Sequence, residues 1–257
     1  MFRWFEYAQV YHPSKEWKLS PADLGRPYED LTITAADRVP LSAWFFPADE
    51  CSPRRNLAML VCHGNGGNIS HRLPLARAFL GMGVNVLLFD YRGYGHSGGE
   101  LSEEGTYLDA QAAHAWLRQR GLSQIIAFGE SLGGGIACEL ALREPVAGLI
   151  LSNTFTSIGD IGAEMFPFLP IRWFNTIHYN TLAKLPRIKV PVLVMHSRDD
   201  EVVGFRHAER NFAAANEPKL FSETRGQHNE TLALDPAQYL GGVEKLLALV
   251  EAANSAK

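Results

Sequence analysis

The chain has 257 residues, 46% of them hydrophobic and 20% charged, which is the composition of a folded globular protein rather than a disordered or fibrous one. Its formal net charge is -4 and no stretch concentrates Lys and Arg, so the sequence excludes the basic surface that nucleic-acid binding requires. Its three cysteines lack paired or metal-ligand spacing, which argues against a disulfide framework or a zinc site and is compatible with a reducing cytoplasm.

Residues 1–27 form an N-terminal extension that is rich in aromatic side chains. It has neither the apolar core nor the small-residue cleavage site of a signal peptide, and no run in the chain approaches the ~18 apolar residues of a membrane span. Either the extension packs on the domain, or its rings contact the headgroup region of a membrane. The sequence therefore predicts a cytoplasmic protein, with peripheral membrane contact as the alternative. The aromatic residues are Phe2, Trp4, Phe5, Tyr7, Tyr11 and Trp17.

Short apolar segments recur along the rest of the chain. Residues 29–35 and 41–46 lie close together and predict an antiparallel hairpin, with Asp37 and Arg38 in its turn. The later segments are mostly continuous in Val, Leu, Ile and Phe rather than alternating, which is typical of strands buried on both faces of a parallel sheet. These predicted strands are residues 57–62, 84–89, 124–128, 148–151, 191–195 and 219–223.

Helical periodicity fills most intervals between those strands. The alternation of strands and helices predicts an α/β domain. Because no repeat or linker interrupts it, we expect residues 1–257 to form a single domain. The interval 153–190 is longer than a crossover needs, and it predicts either a lid over a site or a packed excursion. The predicted helices are residues 71–80, 107–118, 132–142, 205–215 and 237–252.

The sequence Gly-Glu-Ser-Leu-Gly at 129–133 fits the pattern G-x-S-x-G. It directly follows a predicted strand and opens a predicted helix, the context in which a serine is held on a strained turn with its hydroxyl exposed. Gly129 and Gly133 remove side chains that would collide at the turn, and the helix N-terminus directs free N–H groups at the reacting oxygen. This context predicts Ser131 as a nucleophile.

A serine hydroxyl needs a base to remove its proton and an acid to orient that base. After a serine in this context, the acid is expected next along the chain and the histidine last. Asp199 and Asp200 both follow a predicted strand and are candidates for the acid. His228 is the only histidine after the last predicted strand and is the predicted base, with His207 and His178 as weaker rivals.

The glycine-rich sequence His-Gly-Asn-Gly-Gly-Asn at 63–68 follows the predicted strand 57–62. A tetrahedral intermediate needs two preorganised N–H donors. One is predicted to be the backbone N–H of Leu132, just after the nucleophile, and the other the backbone N–H of Asn65 in this loop. The alternative is that these glycines serve only a tight turn.

Two other kinds of site are disfavoured. Residues 93–98 match the dinucleotide-binding pattern G-x-G-x-x-G, but residues 99–104 do not read as an apolar-packed helix, and no strand ending in an acid lies about 20 residues further on. The nine histidines show neither HExxH nor another metal-ligand spacing. We therefore expect neither a cofactor nor a metal.

The ordered set HGNGGN, FDYRGYGHSGG, GESLGGG, HSRDDEVV and GQH resembles the α/β-hydrolase-fold serine hydrolases. Within them it is most similar to the branch that holds small bacterial esterases and eukaryotic protein depalmitoylases. The resemblance covers nearly the whole chain, and it implies an eight-stranded, mostly parallel sheet that begins with the hairpin. It favours Asp200 over Asp199, because Glu-Val-Val after Asp200 resembles the family's stretch after its acid. The implied site is Ser131 as nucleophile, Asp200 as acid, His228 as base, and N–H donors from Asn65 and Leu132.

The chain departs from this family in two places. His196-Ser197 stands where the family often has His-Gly, and the membrane-spanning helix that opens many relatives is missing. The second departure weakens any transfer of a palmitoyl-protein substrate. The resemblance therefore implies a hydrolase of small-molecule carboxylic esters that needs no cofactor. An acyl-protein or acyl-CoA thioesterase is the nearest alternative, and a peptidase or a non-catalytic binding protein is less favoured.

Overall fold

The computed structural model describes residues 2–255. The strands of its central sheet are β1 (Glu29–Thr34), β2 (Pro40–Phe46), β3 (Leu57–Cys62), β4 (Asn85–Phe89), β5 (Gln124–Glu130), β6 (Gly148–Ser152), β7 (Val192–Ser197) and β8 (Lys219–Thr224). Their order across the eight-stranded sheet is β8-β7-β6-β5-β3-β4-β2-β1. Strand β2 runs antiparallel to β1 and β4, and the other neighbouring pairs are parallel. The predicted mostly parallel sheet and its opening hairpin are confirmed.

Helices cover both faces of this sheet. They are α1 (Phe2–Val10), α2 (Leu73–Gly81), α3 (Glu103–Gln119), α4 (Leu132–Arg143), α5 (Ile158–Met165), α6 (Ile171–Phe174), α7 (Thr181–Lys184), α8 (Arg206–Ala214), α9 (Thr231–Leu234) and α10 (Pro236–Ser255). Successive residues of β3 alternate between two apolar clusters: Ala58 and Leu60 pack with α3, α4 and α8, whereas Met59 and Val61 pack with α2 and α10. Burial on both faces explains why this strand is continuously apolar.

Most element boundaries differ from the predicted ones by a few residues, and two of the differences have a clear local cause. Strand β5 continues through Glu130 because its last residues pair with the end of β6. Helix α3 begins at Glu103, ahead of its predicted start at 107, because the Ser102 hydroxyl caps it by accepting a hydrogen bond from the N–H of Gly105 at 3.0 Å. The first two residues of this helix, Glu103 and Glu104, are acidic and not packed as apolar side chains, in agreement with the prediction that residues 99–104 are not an apolar-packed helix.

The N-terminal segment contains a helix, α1, that the sequence pattern did not predict. After α1 the chain forms a short parallel pairing, His12–Pro13 with Gly66–Gly67. Gly66 and Gly67 belong to the glycine-rich loop after β3. The N-terminal segment is therefore hydrogen-bonded to the loop from which an N–H donor was predicted.

The N-terminal aromatic side chains differ in exposure. Tyr11 is buried, and Trp17 packs edge-on against Trp44 with 4.8 Å between ring centroids. Trp4, in contrast, is 77% exposed, and the side chain of Phe2 lies outside the described residues. None of the helices described between residues 2 and 255 has the length and apolarity needed to cross a membrane. Peripheral membrane contact stays a prediction.

The excursion at 153–190 connects β6 to β7. It contains α5, α6, α7 and a 3-10 turn at Leu185–Arg187. Its tip is strongly apolar and exposed, with Phe168 97% and Trp173 85% accessible. The excursion lies next to the carboxyl edge of the parallel strands, where ligands bind in open α/β sheets.

Candidate active site

Ser131 lies on the sharp turn between β5 and α4. Its backbone has φ 50° and ψ -114°, a conformation that costs a non-glycine residue on the order of 1–3 kcal/mol. The surroundings maintain it: the N–H of Ser131 donates to the carbonyl of Ser152 at 2.9 Å. Glycine is required at Gly133, where a Cβ would lie 1.9 Å from the carbonyl oxygen of Cys62. The serine of the G-x-S-x-G pattern therefore occupies the strand-to-helix turn expected of it.

Asp200 lies in the loop after β7, and its side chain is buried. One carboxylate oxygen, Oδ1, accepts hydrogen bonds from the N–H groups of Val202 and Val203 at 2.9 and 2.7 Å. The other, Oδ2, accepts from Nδ1 of His228 at 2.7 Å. Burial alone would raise the pKa of Asp200, but the His228 hydrogen bond and charge and the Val203 N–H lower it below its ordinary value of 3.8. Asp200 is therefore held as a carboxylate next to the imidazole.

Asp199 points elsewhere. Its side chain is 52% exposed and lies 3.4 Å from Arg225, at the surface. The two adjacent aspartates are thus clearly distinguished by burial, and of the two it is Asp200 whose side chain is hydrogen-bonded to His228.

His228 is held on three sides by polar contacts. Besides the Asp200 contact at Nδ1, its backbone N–H donates to Glu201 Oε2 at 2.9 Å, and its carbonyl accepts from Nδ2 of Asn153 at 2.9 Å. Asn153 also accepts, through Oδ1, the N–H of Ser197 at 3.1 Å. Asn153 therefore ties the histidine loop to the end of β7.

Asn153, Glu201 and Ser197 were not identified from the sequence as part of the site. Asn153 is 2% exposed and has φ 46°, and it directly follows β6. Ser197, at the position where the related family often has glycine, donates to the carbonyl of Gly226 and accepts the N–H of Asp199 at 3.1 Å. A usable signal exists for Asn153 and Ser197: each is a polar residue at the carboxyl end of a central parallel strand.

A second histidine lies beneath Asp200. His196 is fully buried, donates from Nε2 to the carbonyl of Val203 at 2.7 Å, and has the same nitrogen 3.4 Å from Asp200 Oδ2. Burial lowers the pKa of His196 below 6.5. A neutral His196 therefore supports the turn that presents Asp200 without competing with His228 for its charge.

Ser131 and His228 line the same cavity, which has a volume of about 980 Å³. The Ser131 hydroxyl makes no hydrogen bond to any described residue, so a serine–histidine hydrogen bond is not formed in this conformation. In hydrolases without substrate such bonds are often long and shorten only in the complex. The arrangement brings together the predicted nucleophile, base and acid at one end of the sheet.

The two predicted N–H donors border that cavity as well. Leu132 is the first residue of α4, where the N–H has no intrahelical acceptor. The N–H of Asn65 has no partner among the described residues, while its carbonyl accepts from His12 N–H at 3.0 Å and from the Tyr94 hydroxyl at 2.8 Å. Those contacts fix the glycine-rich loop and leave both N–H groups free to bind an anionic oxygen.

The two rival histidines lie outside the cavity wall. His207 is fully buried and joins α8 to the excursion, because its Nδ1 accepts the N–H of Thr156 at 3.1 Å and its Nε2 contacts Glu164 at 3.1 Å. His178 is exposed and contacts Asn175. Within the described part of the chain, no group of three or more His, Cys, Asp or Glu side chains is arranged to hold a metal ion.

Comparisons with known proteins place these features in context. A family model described as the alpha/beta hydrolase fold matches residues 58–170. The chain is 37% identical over 252 residues to an uncharacterized protein of Mycobacterium tuberculosis, covering 96% of this chain and 89% of that protein. It is 37% identical to the alpha/beta hydrolase domain-containing protein WAV2 of Arabidopsis thaliana, covering 88% and 82%. It is also similar to the crystal structure of an esterase from Pyrococcus furiosus, with TM-score 0.76, 25% identity and coverage of 94% and 97%.

Proposed function

The chain belongs to the α/β-hydrolase fold family, and on that basis we propose that it is a serine hydrolase that cleaves carboxylic esters. The similarity to the Pyrococcus furiosus esterase supports an enzyme of the α/β-hydrolase class. In the proposal Ser131 is the nucleophile, His228 the base and Asp200 the orienting acid. The observation that carries it is the 2.7 Å contact between His228 Nδ1 and Asp200 Oδ2. His228 lines the same cavity as Ser131, whose backbone has a positive φ.

Acylation proceeds through a tetrahedral intermediate. The Ser131 oxygen attacks the ester carbonyl carbon while Nε2 of His228 takes the hydroxyl proton. The carbonyl oxygen becomes an anion and accepts hydrogen bonds from the N–H groups of Asn65 and Leu132. The bond to the alcohol oxygen then breaks, and that oxygen receives the proton from His228. The alcohol leaves, and the acyl group remains esterified to Ser131.

Deacylation repeats the chemistry with water. His228 takes a proton from water, the hydroxide oxygen attacks the acyl carbon, and collapse of the second intermediate returns the proton to the Ser131 oxygen. The carboxylic acid is released and the serine is restored. Throughout, Asp200 stays ionised and stabilises the imidazolium form of His228, which is the role that its lowered pKa supports.

Hydrolysis of p-nitrophenyl acetate, butyrate, octanoate and palmitate by wild type and Ser131→Ala tests the proposal. The expected result is turnover by wild type that falls at least ~10⁴-fold in kcat in the variant, because loss of the nucleophile disables the whole triad. A folded Ser131→Ala protein with wild-type turnover would overturn the mechanism. A folded wild type inactive on every ester would favour a non-catalytic binding protein.

A thioester substrate is the second candidate, because the cavity extends beneath the excursion, where Phe155, Ile158 and Ile161 line it. The same two steps apply, with a thiol as the leaving group in place of the alcohol. Parallel kcat/KM values for octanoyl-CoA and p-nitrophenyl octanoate separate the two. A higher value for octanoyl-CoA assigns a thioesterase, and a higher value for the oxygen ester assigns an esterase.

A further inference from the structure

The N-terminal helix α1 forms part of the wall of the candidate active-site cavity. Four of its residues, Phe5, Glu6, Gln9 and Val10, line the same cavity as Ser131. This helix precedes the segment matched by the family model, residues 58–170. The structure therefore places a segment from outside the matched region against the substrate space.

A buried carboxylate fastens α1 to the excursion. Glu6 is 8% exposed. Its Oε1 accepts hydrogen bonds from the backbone N–H groups of Thr176 and Ile177 at 2.7 and 2.9 Å, and its Oε2 accepts the Thr176 hydroxyl at 2.6 Å. Charge-assisted hydrogen bonds of this length are among the stronger ones in proteins. Glu6 therefore fixes where α1 lies relative to the excursion.

Aromatic contacts extend the same attachment along the helix and beyond it. The ring of Phe5 packs edge-on against Phe166, with 5.9 Å between centroids. At the other end, the hydroxyls of Tyr11 and Tyr179 are hydrogen-bonded at 2.9 Å, and both side chains are buried. The N-terminal segment is thus attached to the excursion through the middle of α1 and through the residue that follows it.

Most of the side chains that line the cavity between α1 and the excursion are apolar. Excursion residues that line the cavity include Phe155, Ile158, Ile161, Met165, Phe166 and Ile171. A cavity of about 980 Å³ lies at the upper end of the ~300–1,000 Å³ typical of small-molecule sites. An acetyl group would leave most of it unfilled, whereas each further buried methylene improves binding about fourfold.

We propose that α1, positioned by Glu6, is one wall of a chamber for the acyl chain, so that the substrate class is esters of medium-chain or longer fatty acids. The inference rests on the proposed function, since the chain is bound for attack by Ser131. Glu6 is a positioning residue: it does not touch the reacting atoms but holds the wall that selects the chain.

The first test compares Glu6→Ala with Glu6→Gln in the full-length protein. Alanine removes all three hydrogen bonds, whereas the glutamine amide oxygen still accepts from the two backbone N–H groups. The readout is the ratio of kcat/KM for p-nitrophenyl octanoate to that for p-nitrophenyl acetate. We expect a wild-type ratio of at least ~10, a fall of at least ~10-fold in Glu6→Ala carried mainly by KM, and near wild-type behaviour in Glu6→Gln. Glu209→Ala, an exposed change on α8, is the matched control and leaves the ratio unchanged.

A second pair of variants keeps the test decisive if Glu6→Ala does not fold. Ile161, on α5, is 8% exposed and lines the chamber. Ile161→Trp fills the chamber and should move the preferred chain towards acetate and butyrate, while Ile161→Ala enlarges it and should move the preference towards longer chains.

The inference and the proposed function fail in different ways. If wild type hydrolyses esters through Ser131 but prefers acetate, or if Glu6→Ala lowers acetate and octanoate turnover equally, the chamber assignment is wrong and the hydrolase remains. If Ser131→Ala keeps wild-type turnover on every ester, the hydrolase mechanism itself is wrong.

Discussion

Replacement of Asn153 tests how the base is held. This side chain donates to the His228 carbonyl and accepts the Ser197 N–H, and its backbone lies in the left-handed region at φ 46°. Asn153→Ala removes both hydrogen bonds and keeps a Cβ in an unfavourable conformation. Asn153→Gly removes the same hydrogen bonds but tolerates the backbone geometry.

The two variants differ by a calculable amount. Losing two buried hydrogen bonds at about 1 kcal/mol each, with their partners left unpaired, lowers the free energy of unfolding by ~2–4 kcal/mol. Alanine in the left-handed region adds about 1–2 kcal/mol that glycine avoids. A loosened His228 loop no longer keeps its imidazole aligned with Ser131, and misplacement by about 1 Å costs on the order of 100-fold in kcat.

Urea denaturation followed by circular dichroism measures the stability, and p-nitrophenyl octanoate turnover measures kcat. We expect both Asn153 variants to be about 10- to 100-fold slower than wild type, with Asn153→Gly the more stable. Asn153 does not hold the base if both variants keep wild-type kcat and have free energies of unfolding within about 0.5 kcal/mol of wild type, the range of an ordinary surface substitution.

Three further results are expected. Gly133→Ala drives a methyl group into the backbone carbonyl at the end of β3, so urea denaturation should show a free energy of unfolding about 1–3 kcal/mol lower than that of wild type. Unchanged stability would contradict the geometry of the strand-to-helix turn. Asp200→Asn should lower kcat about 10⁴-fold in the ester assay, whereas Asp199→Asn should stay within about fivefold; equal losses would contradict the assignment of the acid. Burial would raise the pKa values of Asp160 and Glu164, but hydrogen bonds and neighbouring positive charges lower them below 3.8 and 4.5. The stability that they contribute is therefore present above their unfolded pKa values and lost as pH falls through the folded ones. An Asp160→Asn, Glu164→Gln double variant should then lose less unfolding free energy than wild type between about pH 5 and about pH 3, and an equal acid loss would argue against this linkage.

The core of the fold could be predicted because its signals are local. Every residue of β3 is buried, and the continuous apolar run in its sequence predicts this burial on both faces. The nucleophile turn is local in part: a Cβ at Gly129 would collide with the backbone of Gly133 and Gly134 in the same strand–turn–helix unit. Gly133 itself is required by the carbonyl of Cys62, at the end of the neighbouring strand β3. The pairing of Asp200 with His228 is not local, and it was reached through the order of motifs that the family shares.

Helix α1 could not be predicted, because its stabilising contacts come from far along the chain. Glu6 bonds to Thr176 and Ile177, about 170 residues away, and Tyr11 bonds to Tyr179. A nine-residue segment is too short to be a stable helix by itself, so its conformation depends on that packing. Nothing in the periodicity of residues 1–27 indicates which distant surface they cover.

The supporting residues around the base were missed for the same reason. Asn153 reads in sequence as the first residue of a loop, and its importance depends on the positions of Ser197 and His228 in the folded chain. The neighbouring strand ends bring these three residues together at one edge of the sheet. Sequence order alone does not specify those contacts.

Covalent labelling with a fluorophosphonate tests whether Ser131 is the nucleophile. The serine oxygen displaces fluoride from phosphorus, and peptide mass spectrometry locates the adduct. We expect one adduct per chain, on the peptide that contains Ser131, with ester hydrolysis lost in proportion to labelling and no adduct in Ser131→Ala. An adduct on another residue that abolishes hydrolysis, or full hydrolysis by fully labelled protein, would contradict it.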